Sequence, residues 1–114
     1  MADDRRIAAL GQMGDMIRDM ALAELRQAAQ RRGAAESAIG DLDAQRRRVV
    51  PDLDDAASMV GADLAWHRWA DARRAELNIE LATCRAAENR SKTHAARAFG
   101  RAEALQRIIS RMRG

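Results

Sequence analysis

Aromatic side chains are almost missing from this chain of 114 residues, which has no Tyr, one Phe and two Trp. Against 26 Ala, that scarcity leaves little to build a strand-rich or thick globular core, and an all-α protein is predicted. Proline occurs once, at Pro51, so one place is marked for a turn and the rest is free to be helix. A lone cysteine, Cys84, excludes an internal disulfide and sits more easily in a reducing compartment. No apolar run reaches the roughly 18 residues of a membrane-spanning helix. The stretch Met1-Ala2-Asp3-Asp4-Arg5-Arg6 lacks the apolar centre of a signal peptide, so the cytoplasm is the expected location. Lysine is scarce too: the positive charge rests on 19 Arg and a single Lys, for a net charge of +3.

Recognisable catalytic arrangements are also lacking. There is no Gly-rich phosphate loop, no HExxH and no nucleophilic Ser elbow. His67 and His94 are 27 residues apart, about 40 Å along one straight helix, so they cannot share a metal within the chain. Cys84 and His94 stand roughly 15 Å apart by the same measure. Cys84 therefore reads as a small buried residue of a helix contact, not as a nucleophile. Glu76 and Glu80 share a helix face at a spacing that can ligate a metal, but Arg73, Arg74 and Arg85 around them make solvated charge pairs the better reading. A non-enzymatic protein without cofactor or metal is expected.

What the chain does have is one long helical stripe. From Trp66 to Met112, steps of three and four residues give Ala70, Arg73, Leu77, Glu80, Cys84, Ala87, Ser91, His94, Ala98, Arg101, Leu105, Ile108 and Met112, with Leu81, Ala95, Ala102 and Ile109 alongside. A helix of that length rises roughly 70 Å and needs a partner along its flank. The first half supplies one. Asp3 or Asp4 can cap a helix whose apolar face comprises Ile7, Leu10, Met13, Met16, Ile17, Met20, Leu22 and Leu25, with the methionines read as core filling in preference to an adaptable binding surface. Gly11 and Gly14 weaken helix propensity by up to about 1 kcal/mol each, yet they allow a neighbouring helix to come close. Arg31-Arg32-Gly33 marks a possible bend.

At Val50-Pro51-Asp52 the chain should turn, with Asp52 and Asp55 capping a second helix. The prediction is a single antiparallel two-helix coiled-coil hairpin, with helix 1 over about residues 3–49, the turn at 50–52 and helix 2 over about 52–112. Gly61-Ala62-Asp63 offers an alternative break. A turn at 50–52 pairs Leu42 with Met59, Leu25 with Leu77, Ile17 with Cys84 and Leu10 with Ser91. Helix 1 is then exhausted near residue 97, and Phe99, Leu105, Ile108, Ile109 and Met112 project as an amphipathic overhang. A turn spread to Ala62 instead pairs Ile7 with Leu105 and buries that stripe. A rod-like monomer or weak dimer is expected.

Two surface features are candidates for binding. Trp66 and Trp69, three residues apart beside Arg73, either cap the hairpin core against Ile39 and Leu42 or form a protein-docking hot spot; a two-helix seam has little room for both indoles, so at least one should stay accessible. The C-terminal quarter carries Arg90, Lys92, Arg97, Arg101, Arg107, Arg111 and Arg113 around Phe99, Leu105, Ile108 and Met112. Such a basic amphipathic end suits an acidic protein surface or, as the second reading, nucleic-acid phosphates. Phe99 alone is a thin stacking platform for the latter.

The segment Trp66-His67-Arg68-Trp69-Ala70-Asp71-Ala72-Arg73-Arg74-Ala75-Glu76-Leu77, running into a long Ala/Arg helix that ends Ala98-Phe99-Gly100-Arg101-Ala102-Glu103-Ala104-Leu105-Gln106-Arg107, resembles the FliJ family of the flagellar type III export apparatus and its injectisome counterparts. That resemblance implies a small antiparallel coiled coil acting as a stalk in the ring of the export ATPase. It also implies contact with the export gate protein and traffic with export chaperones, in the cytoplasm or peripherally at the export apparatus. The residues expected to bind protein are Trp66, Trp69, Arg73, Phe99, Arg101, Leu105, Arg107, Ile108, Arg111 and Met112. A basic helical nucleic-acid-binding protein or a generic coiled-coil adaptor is the alternative.

Overall fold

The computed structural model describes residues 2–48 and 56–113, with side chains over 3–48 and 61–113. Two helices make up all of it, α1 (Ala2–Arg48) and α2 (Ala56–Arg113). The described residues contain no strand and no residue with positive φ. Asp3 and Asp4 in the first turn of α1 and Arg46, Arg47 and Arg48 in its last complement the helix dipole. Neither Arg31-Arg32-Gly33 nor Gly61-Ala62-Asp63 interrupts a helix. The expected turn at 50–52, Pro51 and the Asp52/Asp55 cap lie outside the described residues. Neither helix is long and apolar enough to cross a membrane.

The fold is an antiparallel two-helix coiled-coil hairpin whose contacts form two compact units, Met1–Ala29 with Ala86–Gly114 and Gln30–Arg85. In the first unit α1 presents a line of very small residues. Gly11, Gly14, Ala21 and Ala28 are buried, and Ala21 clusters with Ala95 and Ala98 of α2, with Leu25 packed alongside. The two glycines let α2 come close: a Cβ on Gly11 would stand 2.6 Å from Ile109 Cδ1, and one on Gly14 2.8 Å from Leu105 Cδ1. Arg18 occupies the same seam and lays its guanidinium 5.8 Å from the Phe99 ring centre.

The second unit has the larger side chains. Leu42, Ala70 and Leu77 form a buried cluster against which Ala38, Ile39 and Trp66 pack. Charge pairs bracket it. Arg74 donates two hydrogen bonds to Asp43, at 3.0 and 3.1 Å, Arg46 reaches Asp71 and the carbonyl of His67, and Arg85 approaches Glu36 at 3.5 Å.

Two expectations need correction. The contact stripe of α2 is half of the one read from the sequence. Ala70, Leu77, Cys84, Ser91, Ala98 and Leu105 lie in the seam, and beside them run Leu81, Ala95, Ala102 and Ile109, as expected, with Arg74 and Glu88 in the same line. Arg73, Glu80, His94, Arg101 and Ile108, one residue earlier in each case, are exposed. Ala, Leu and charged residues recur on both lines, so period alone does not choose between them; contact with α1 does. Ala95 and Ala102 admit a close neighbour that His94 and Arg101 would hold off.

The register differs as well. Partners Asp43 and Arg74, or Arg46 and Asp71, have numbers totalling 117, and in the first unit so do Arg18 and Phe99. The tight-turn pairing required about 101. Ala98, Ala102, Leu105 and Ile109 consequently meet α1 and do not overhang it. The small-residue line of α1 and the charge pairs fit this register. In the second unit Arg48 then lies level with Trp69, and residues 61–68 run past the described end of α1, with Leu64 54% exposed.

Candidate docking surfaces

The seam contacts define two flanks. On each helix, residues that directly follow the small-residue line meet across one side: Glu36 follows Ala35 and pairs with Arg85, which follows Cys84, while Asp43 follows Leu42 and pairs with Arg74. In the first unit the same side holds Phe99, which follows Ala98 and lies under Arg18, together with Asp15 and Asp19, which contact Arg18 at 3.4 and 3.2 Å. Residues that precede the line belong to the opposite side.

That opposite side of the first unit carries Leu10, Met13, Ile17, Met20 and Ile108, all exposed. Along α1 run Leu10, Met13, Ile17 and Met20, spaced three, four and three residues, each between 46% and 62% exposed. Along α2 the matching line is Arg97, Arg101, Ala104, Ile108 and Arg111, all exposed. Among the described residues Arg97, Arg101 and Arg111 make no ion pair. Asp15 and Asp19 are drawn to Arg18 on the other side, and Glu24 stands one step past Met20 at the end of the apolar line. Glu103 is paired with Arg107 at 2.7 Å. The outcome is an apolar line and a basic line running side by side. At the end of the unit, Asp4, Ile7, Ala8, Ile109, Met112 and Arg113 line an open cleft of 390 Å³.

Of the residues expected to bind protein, the structure brings Arg101, Ile108 and Arg111 together on this side and sets Met112 in the cleft. Leu105 is half-buried against Gly14, and Phe99 lies on the other flank. Arg107 faces outward in its pair with Glu103. The methionines overturn the reading of them as core filling: Met13, Met16 and Met20 are exposed. Their exposure had a signal in the sequence, since 10, 13, 17 and 20 each precede a position of the line Gly11, Gly14, Arg18, Ala21. Once the glycines are recognised as contact points, the neighbouring line must lie outside the seam.

The two indoles of the second unit part company. Trp66 packs against the Leu42, Ala70 and Leu77 cluster, while Trp69 is 53% exposed, with 6.3 Å between the ring centres. Arg73 is exposed and pairs with Glu76 at 3.1 Å. His67 contacts Asp63 at 3.3 Å. The Asp43 carboxyl is shifted. The Arg74 hydrogen bond holds it below its ordinary value, burial opposes this, and the positive charges of Arg74, Arg46 and Arg47 add to it; Arg74 is raised in return. Among the described residues no group of three or more His, Cys, Asp or Glu is placed to hold a metal ion. Comparison with protein-family models, curated proteins and solved structures finds no match to this chain.

Proposed function

We propose that this protein is a non-enzymatic coiled-coil component of a flagellar or injectisome type III export apparatus, a stalk that contacts the export ATPase ring and the export gate protein or export chaperones. The observation that supports the reading is the antiparallel pairing of α1 and α2, the fold that the Trp66–Leu77 and Ala98–Arg107 resemblance implies. Its working surfaces in this proposal are the accessible Trp69 with Arg73 in one unit and, in the other, the basic and apolar side with Arg101, Ile108 and Arg111 and the cleft with Met112. Their role is contact, and the action is mechanical coupling between partners.

The test is deletion of the gene in its own organism, scored for secretion of flagellar or injectisome substrates, with co-purification of the full chain and the export ATPase. Loss of secretion restored by the wild-type gene, together with ATPase capture that weakens for Trp69→Ala, supports the proposal. Normal secretion would refute it. Tight DNA binding that falls steeply with salt and ignores the Trp69 change would establish the nucleic-acid reading in its place.

A further inference from the structure

The apolar line of α1 and the basic line of α2 in the first unit differ in chemistry but run along one side, and this restricts what can cover them. We propose that this side is a docking groove for an amphipathic helix of another protein, with acidic residues along one edge of that helix's apolar stripe. The inference stands on the side chains of this one unit and holds whether or not the partner belongs to an export apparatus.

Leu10, Met13, Ile17 and Met20 span three turns at helical spacing, the footprint of a helix laid lengthwise with anchors three and four residues apart. Unbranched methionines suit such a groove because they adapt to the partner's side chains. Arg97, Arg101 and Arg111 border the stripe on one side only and lack ion-pair partners among the described residues, so a helix seated there meets guanidinium along one edge. Carboxylates on that edge complete charge-assisted pairs, whereas a basic helix with the same apolar stripe meets repulsion. An anionic membrane surface fits less well. Surface-lying helices carry a wide apolar face with basic residues at its polar borders, while here the base lies along one side of the apolar line. A second copy of the chain would bring a basic edge of its own.

The experiment uses the full chain and two designed fluorescent peptides of about 20 residues, long enough to hold helix when bound. Both carry the same Leu/Met stripe, one with Glu and the other with Lys along a single edge. Anisotropy titration should show binding of the Glu peptide at least about tenfold tighter than the Lys peptide. The double change Arg97→Glu/Arg101→Glu should reverse that preference. Ile17→Asp should weaken both peptides about tenfold or more. Arg26→Glu, a like charge change outside the two lines, should leave the preference as it was, and circular dichroism of every variant should show unchanged helix content. Equal affinity for the two peptides, or no binding of either, overturns the proposal. So does binding to vesicles rich in phosphatidylglycerol without peptide binding, and so does a dimer in sedimentation that the Glu peptide does not dissociate.

Discussion

Ile109 Cδ1 lies 2.6 Å from the point where a Cβ on Gly11 would stand, so a side chain at that position requires the end of Ile109 to shift. One turn on, Gly14 stands in the same relation to Leu105. Both obstacles are ends of flexible side chains. Gly11→Ala and Gly14→Ala should therefore be close to neutral, a gain in helix propensity of about 1 kcal/mol set against a side-chain shift of about 0.5–1.5 kcal/mol. Gly14→Leu should destabilise by roughly 1–3 kcal/mol through overpacking. At Gly33 an added Cβ meets nothing within 4 Å, so Gly33→Ala should stabilise by about 1 kcal/mol. Urea unfolding of the four variants separates close approach from propensity.

The two tryptophans should respond unequally. Trp66→Ala removes an indole packed on Leu42, Ala70 and Leu77 and should cost about 2–3 kcal/mol, less than for a fully enclosed ring because Trp66 is only half-buried. Trp69→Ala, at a half-exposed site, should stay within about 0.5 kcal/mol of wild type. Equal losses in thermal unfolding would contradict the division between a packed and an accessible indole.

Deleting residues 101–114 removes Ala102, which is 3% exposed, together with Leu105 and Ile109, and uncovers Gly11 and Gly14. The expected result is a fall in the melting temperature of at least about 4 °C. A truncated chain as stable as the full one would restore the overhanging arrangement that a tight turn at Pro51 implies.

Acid should weaken the hairpin through Asp43. Its carboxyl titrates lower in the folded protein than in the unfolded chain, so the bond to Arg74 contributes stability above the ordinary carboxylate value near 4. That contribution is lost as pH falls from there through the lowered folded value. Asp43→Asn should give a protein less stable at pH 7 whose stability declines less between pH 4 and pH 2, measured by urea midpoints at each pH.

Much of this protein follows from local chemistry. Alanine abundance, a lone proline and acidic and basic helix ends specify two long helices, and Gly11 and Gly14 could be read as points of close approach before any contact was known. What only the tertiary structure decided was phase and register. A stripe built from Ala, Leu and Arg on adjacent lines is nearly degenerate, because His94 and Ala95, or Arg101 and Ala102, satisfy the same period. The choice came from the facing helix, whose small residues accept Ala95, Ala98 and Ala102 and whose Asp43 and Arg46 find Arg74 and Asp71. That one-residue difference in phase moved Arg101 and Ile108 out of the seam. On α1 the same rotation set Leu10, Met13, Ile17 and Met20 beside them on the open side, since a helix of fixed pitch that buries Gly11 and Gly14 must turn the residues before them outward.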